Sequence, residues 1–145
     1  MRTLLLFSSR FGRTRKVVRA ALPLLAVKPD VVEITPQLDS DVLLRYDILL
    51  LFTPTYGDEE LHSVMEDFLR RIDTKLTGLR FAICELGNYG GYDDFSFGAM
   101  RIVRQRLLER DATDLGSHLS LESMPRLDED QLARWIGDVN RQVGV

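Results

Sequence analysis

Apolar residues recur along the chain in short continuous runs, and between those runs they recur at helical spacing. That alternation predicts parallel strands joined by helices. Thr3 to Ser8, Val31 to Thr35, Asp47 to Phe52 and Arg80 to Leu86 read as strands, with His118 to Leu121 as a shorter fifth. Asp47 to Phe52 is the most apolar of them, which suits a strand buried on both faces. Val17, Val18, Ala21, Leu22 and Leu25 line one face of a helix over Thr14 to Leu25, with Pro23 as its late kink or terminator. Asp39 to Tyr46 predicts a brief helix or turn. Leu61, Val64, Phe68, Leu69 and Ile72 form a second apolar stripe, and Phe97, Met100, Val103 and Leu107 a third. Leu132, Trp135, Ile136, Val139 and Val143 line a closing helix whose first turn is acidic. With no internal repeat or linker, the expectation is one domain over residues 1–145, an α/β three-layer sandwich with a five-stranded parallel sheet. Ligands of such sheets bind beyond the carboxyl ends of the strands, so the loops after Phe7, Phe52 and Leu86 come first.

Composition excludes more than it adds. The chain has 145 residues, 45% hydrophobic and 28% charged, the size of one domain with a sizeable core. Its 19 Lys+Arg face 22 Asp+Glu for a net charge of -3, so neither the basic excess of a nucleic-acid binder nor an acidic disordered tail is present. The single Cys84 forms no internal disulfide, fits a reducing cytoplasm, and reads as a small core hydrophobe rather than a nucleophile. The apolar start is too short for a signal peptide, and no segment reaches membrane-spanning length. His62 and His118 lack a second ligand at metal spacing. His62 reads as a solvated first-turn residue and Trp135 as core. Ser8 is not set in a nucleophile elbow.

The loop after the first strand, Ser8-Ser9-Arg10-Phe11-Gly12-Arg13-Thr14, opens directly into a helix. Hydroxyls and unpaired amides at a helix N-terminus make an anion site suited to a phosphate monoester, and ordinary capping by Ser9 or Gly12 is the alternative. The loop has neither the Lys-Ser/Thr ending of a nucleoside triphosphate loop nor the three glycines of a dinucleotide fingerprint. After the third strand come Thr53-Pro54-Thr55-Tyr56-Gly57, then Asp58, Glu59 and Glu60. Tyr56 offers a flat face and Gly57 a permissive backbone, while the three acids equally suit the first turn of the next helix. Beyond Leu86 lies Gly87-Asn88-Tyr89-Gly90-Gly91-Tyr92-Asp93-Asp94, either a site for close ligand approach with stacking tyrosines or a flexible surface loop. Their coincidence at one sheet edge suits a ligand with a phosphate at one end and a flat conjugated ring at the other. FMN has that shape.

In Tyr46-Asp47 leading into Leu-Leu-Leu-Phe-Thr-Pro-Thr-Tyr-Gly-Asp, and in Gly87-Asn88 followed by Gly91-Tyr92, the sequence resembles the flavodoxin family over nearly its whole length. The length is similar to that of short-chain members, without the segment that interrupts the fifth strand of long-chain ones. The resemblance implies a flavodoxin-like sheet of order 2-1-3-4-5 and FMN bound by residues of all three loops. Ser9, Gly12 and Thr14, with Ser8, Arg10, Phe11 and Arg13 around them, would hold the phosphate. Thr55, Tyr56 and Gly57, after Thr53 and Pro54, would flank one side of the ring. Tyr92 would stack on its other face, with Asn88 at the pyrimidine edge where the family usually has Asp, and with Leu86, Gly87, Tyr89 and Gly91 beside it. The Gly57 carbonyl would accept the hydrogen that the flavin N5 gains on reduction. The phosphate loop departs from the family's Ser/Thr-x-Thr-Gly-Asn-Thr, losing one hydroxyl and the Asn, with Arg10 or Arg13 as the compensating group.

The implied function is electron transfer, one electron at a time, between a reductase and an acceptor protein. The alternative is a flavin-dependent oxidoreductase of the quinone reductase, protoporphyrinogen oxidase or ribonucleotide-reductase activator type; the Ser-Arg-x-Gly-x-Thr-Arg start resembles the second of these. A phospho-acceptor regulatory domain is disfavoured, because Thr3 to Ser8 contains no acid and the fifth-strand region no lysine. Charge is segregated: residues 1–28 carry seven basic residues and no acid, whereas 55–67 and 85–95 carry only acids. The expectation is a cytoplasmic monomer that meets redox partners at an acidic flavin edge, without nucleic acid or membrane.

Overall fold

A computed structural model describes residues 1–9, 12–56, 60–87, 98–122 and 126–144. Strand β1 (Thr3–Phe7) runs parallel to β2 (Asp30–Glu33) on one side and to β3 (Ile48–Tyr56) on the other. Strand β5 (Arg80–Gly87) lies against the far side of β3, with Phe52 opposite Cys84. Beyond β5 the last position is shared by β6 (Thr113–Asp114) and β7 (Leu119–Glu122), both parallel to it. The spatial order is therefore β2-β1-β3-β5, then β6 and β7; counting the five parallel strand positions in chain order, this is the 2-1-3-4-5 that the resemblance implied.

Alternation sorts the strand residues onto two faces. Leu4, Leu6, Leu49, Leu51 and Ile83 pack with α2 (Ser63–Arg70) and α3 (Gly98–Glu109) through Phe68, Leu69, Val103 and Leu107. Leu5, Phe7, Leu50, Phe52 and Cys84 meet α1 (Arg13–Ala21) and α4 (Glu129–Gln142) through Val17, Ala21, Trp135, Ile136 and Val139. Both faces of β1, β3 and β5 are covered, which is why their sequences are continuously apolar. Asp128 accepts the Gln131 amide at 3.0 Å and starts α4. Trp135 donates from Nε1 to the Ser117 carbonyl at 3.0 Å and sets its ring edge-on to Phe52, with centroids 5.7 Å apart.

Several boundaries differ from the sequence expectation, each for a local reason. Helix α1 stops at Ala21, and Leu22–Leu24 tighten into a 3-10 turn with Pro23 in its first positions, because proline lacks the amide that the helix would need. Ser40–Arg45 is likewise a 3-10 turn, capped by Asp39, which accepts the Asp41 amide at 2.9 Å. Strand β3 continues past Phe52 through Tyr56, because β4 (Glu60–Leu61) pairs antiparallel with it, Thr55 opposite Leu61 and Tyr56 opposite Glu60. Glu60 therefore belongs to a strand and not to the first turn of a helix. His62, at 8% exposure, is buried rather than solvated, and its carbonyl accepts the Glu66 amide at 2.9 Å.

The fifth strand position is broken between Asp114 and Leu119. In the gap the Ile83 amide donates to Nδ1 of His118 at 3.0 Å, so a side chain stands where a strand carbonyl would. At the amino ends of the strands, Tyr46 donates its hydroxyl to Asp30 at 2.7 Å, and Asp47 accepts the Arg2 amide at 2.8 Å. The Arg2 guanidinium lies 4.8 Å from the Tyr46 ring centre. The hydrogen bond to Asp30 holds the Tyr46 hydroxyl above its ordinary pKa, with burial and the Asp30 charge adding to the effect. The Tyr46-Asp47 pair thus fastens β1, β2 and β3 at the edge opposite the loops of interest.

Candidate functional site

Beyond Phe7 the chain leaves β1 as Ser8, whose amide still donates to the Phe52 carbonyl at 3.2 Å. It enters α1 through Gly12, at φ 79° and ψ 1°. That left-handed conformation favours glycine. Ser8 is 1% and Thr14 0% exposed. The hydroxyl oxygens of Ser8, Ser9 and Thr14 are all enclosed, and none has a hydrogen-bond partner among the described residues.

Buried hydroxyls are nearly always partnered, and each left unpaired costs about 1–3 kcal/mol. Three orphaned hydroxyls at one helix N-terminus, together with first-turn amides that have no acceptor inside the helix, make a donor set for an anion with several oxygens. The first turn of α1 carries no acid. Arg13 is exposed at its start, whereas Arg15 is engaged by Glu33 through two bonds of 2.9 and 2.8 Å. A phosphate fits the enclosed hydroxyls of Ser8, Ser9 and Thr14. Arg10 and Phe11 lie outside the described residues.

The other two loops leave strands adjacent to β1. Thr53 is fully buried at the end of the parallel ladder, and Pro54 stands opposite Leu86 across β3 and β5. The backbone of Thr55 and Tyr56 carries β3 on into its pairing with β4. Leu86 and Gly87 close β5, both buried. The fold thus gathers Ser8, Ser9, Gly12, Arg13 and Thr14 with Thr53, Pro54, Thr55, Tyr56, Leu86 and Gly87 along one edge. Gly57, Asn88, Tyr89, Gly91 and Tyr92 lie outside the described residues.

One acid of the 85–95 stretch lies away from the loop edge. The charge pattern places Glu85 at the acidic edge, but its side chain is fully buried. Its Oε2 accepts the Met100 amide at 2.7 Å and its Oε1 the Ser120 hydroxyl at 2.8 Å. The available signal was a lone carboxylate inside the apolar run Phe81 to Leu86. Burial, and then the charge of Glu85, push the neighbouring Cys84 thiol well above its ordinary pKa. A thiol so held is a packing group, as expected. The exposed acids are also partly balanced, since Glu66 and Asp67 both pair with Arg70. Among the described residues no group of three or more His, Cys, Asp or Glu side chains could hold a metal ion. None of the described helices is long and apolar enough to cross a membrane.

A family model described as "Flavodoxin" matches residues 5–135. The protein named "Probable flavodoxin 1" of Bacillus subtilis (strain 168) is 30% identical over 133 residues, which span 89% of this chain and 82% of that protein. A flavodoxin of Enterobacter agglomerans is 32% identical over 124 residues, 77% of this chain and 68% of its own. Among solved structures, oxidised flavodoxin 2 from Bacillus cereus superposes with a TM-score of 0.82 at 25% identity, covering 98% of this chain and 99% of that one. The Fusobacterium nucleatum flavodoxin bound to flavin mononucleotide gives 0.80 at 16% identity, with coverage of 98% and 99%, a likeness of fold.

Proposed function

The chain belongs to the flavodoxin family of FMN-binding electron-transfer proteins, and we propose that it holds FMN non-covalently across the carboxyl ends of β1, β3 and β5. The observation that carries this assignment is the set of enclosed, unpartnered hydroxyls of Ser8, Ser9 and Thr14 beneath the N-terminus of α1. In this reading they donate to the phosphate, the first-turn amides complete its shell, and Gly12 gives the backbone its turn around it. Bound FMN supplies the one-electron chemistry itself. Thr55, Tyr56 and Gly57 flank one side of the ring, Tyr92 covers the other, and Asn88 meets the pyrimidine edge. These ring assignments are supported by the family's motif and by the backbone of β3, which continues past the end of β1 to Tyr56. Arg10 or Arg13 takes over from the hydroxyl and the Asn that the phosphate loop lacks.

The family's partners are redox proteins. In this chain a reductase and an acceptor dock in turn at the loop edge, drawn by Asp58, Glu59, Glu60, Asp93 and Asp94 through basic patches of their own. The protein acts as a monomer. Titrating the purified chain into FMN tests the cofactor assignment: flavin fluorescence should quench to a 1:1 end point. Unquenched fluorescence with riboflavin and FMN alike overturns it. Equal affinity for the two flavins overturns the phosphate site alone.

A further inference from the structure

Helix α1 carries Arg13, Arg15, Lys16 and Arg19 and no acid. Thr14, Val17, Val18 and Ala21 form its buried side. At about 100° per residue, Lys16 and Arg19 stand opposite that side, and Arg13 completes an arc of about 120° that reaches about 9 Å along the axis. Arg15, at the flank of the arc, is engaged by Glu33 of β2. Arg13, Lys16 and Arg19 are exposed and have no acidic partner among the described residues. By contrast, Arg2, Arg70, Arg104, Arg106 and Arg141 each pair with a carboxylate.

The basic face runs on into the 3-10 turn Leu22–Leu24, where Leu24 is 43% exposed. That turn is fixed from α4. Asn140 donates from Nδ2 to the Leu24 carbonyl at 3.0 Å and accepts the Ala26 amide at 2.9 Å. A leucine held outward on a fixed backbone loses little freedom when a partner covers it. An apolar contact bordered by charge is also the make-up of a protein interface.

We infer that the outer face of α1, with Leu24 at its end, is a docking surface for an acidic protein. A protein is favoured over nucleic acid or membrane because α4, packed in the same layer, opens with exposed Asp128, Glu129 and Asp130. A long polyanion or a flat anionic bilayer meets those acids together with the cations, whereas a folded partner meets one helix face. This surface is separate from the acidic loop edge, so partners of opposite charge address different faces of the molecule. It rests on α1 and not on the cofactor.

The test titrates the isotopically labelled full chain at low salt with an acidic plant-type ferredoxin, and with cytochrome c as the basic counterpart. Ferredoxin should shift the amide resonances of Lys16, Arg19 and Leu24. Absence of binding, or shifts confined to other elements, overturns the inference. Joint substitution Lys16→Glu and Arg19→Glu should weaken ferredoxin binding about tenfold or more, since like charges then face each other, without weakening that of cytochrome c. Unchanged affinity for ferredoxin, or equal weakening of both probes, overturns it. Leu24→Ser should weaken ferredoxin binding several-fold and leave its dependence on salt unchanged; unaltered affinity removes Leu24 from the surface. Vesicles of phosphatidylglycerol or a DNA duplex bound as tightly as ferredoxin overturn the commitment to a protein. A failed FMN titration leaves these measurements intact, because the same α1 amides are read in the FMN-free chain.

Discussion

The Ile83 amide donates to Nδ1 of His118 at 3.0 Å, so the imidazole completes a ladder that the broken fifth strand leaves open. On its other side, Nε2 lies 2.7 Å from Oδ1 of Asp114, and the ring stacks on Phe81 with centroids 5.9 Å apart. Since Nδ1 accepts, the ring hydrogen sits on Nε2 and points at the carboxylate. His118→Ala strips the Ile83 amide of its partner inside the sheet, at a cost of about 1–3 kcal/mol. Urea denaturation measures the loss, and faster hydrogen exchange at Ile83 locates it. A variant as stable as the parent would show that the gap closes without the imidazole.

Asp114 makes that contact dependent on pH. Burial alone would raise its pKa, but the Gly116 amide, Arg104 and His118 together outweigh burial and hold it below the ordinary carboxylate value. The unfolded chain therefore takes up this proton first as pH falls. The stabilisation is complete above an unfolded value of about 4 and disappears as pH drops through the lower, folded value. Asp114→Asn should be less stable than the parent at pH 7, with the difference shrinking below about pH 4. A gap that stays constant on acidification would place its origin in packing.

Thr14→Val tests the phosphate cradle through two effects of opposite sign. The hydroxyl of Thr14 is enclosed and unpartnered, so its isosteric replacement should leave the FMN-free protein equally stable, or more stable by up to about 1 kcal/mol. The same change should weaken FMN binding about tenfold, since it deletes a donor to a charged acceptor. Thermal unfolding without FMN and fluorescence titration with it separate the two. A loss of stability without FMN would assign the hydroxyl a partner within the chain.

Gly12→Ala forces a β-carbon onto a left-handed residue, at a cost of about 1–2 kcal/mol. Its φ is 79°, and a β-carbon there meets nothing within 4 Å among the described residues, so the expected cost is one of backbone strain and not of collision. Gly12→Asn should recover part of the stability, because asparagine tolerates this region. Equal destabilisation by the two would point to a steric origin.

Docking at an acidic loop edge predicts that association with a redox partner slows as salt is added. Stopped-flow electron transfer with a flavodoxin reductase at rising ionic strength measures this. Rates indifferent to salt would remove the electrostatic part of the docking proposal.

The strands, the covered sheet and the order of the loops were legible along the chain, because continuous apolar runs separated by amphipathic stripes admit few other arrangements. The resemblance at Tyr46-Asp47 and at Gly87-Asn88 extended that reading to a family, although the Tyr46 pair turned out to fasten the opposite edge. Other features were not legible. The break before Leu119 leaves no mark in local periodicity, since His118 satisfies the sheet with a side chain. The burial of His62 and Glu85 depends on what α2, α3 and β7 bring against them.

By itself the sequence determined the alternation of strands and helices and which loops follow the carboxyl ends of the strands, because hydrophobic period is a local property of the chain. Its charge of -3 and its segregated acids were equally on view. Only the tertiary structure decided which of those charges and hydroxyls are available. Glu85 passes from the surface count into the interior, Arg15 is engaged by Glu33, and Ser8, Ser9 and Thr14 stand enclosed without partners. Partnership is a property of three-dimensional neighbours many residues apart, and no one-dimensional pattern records it.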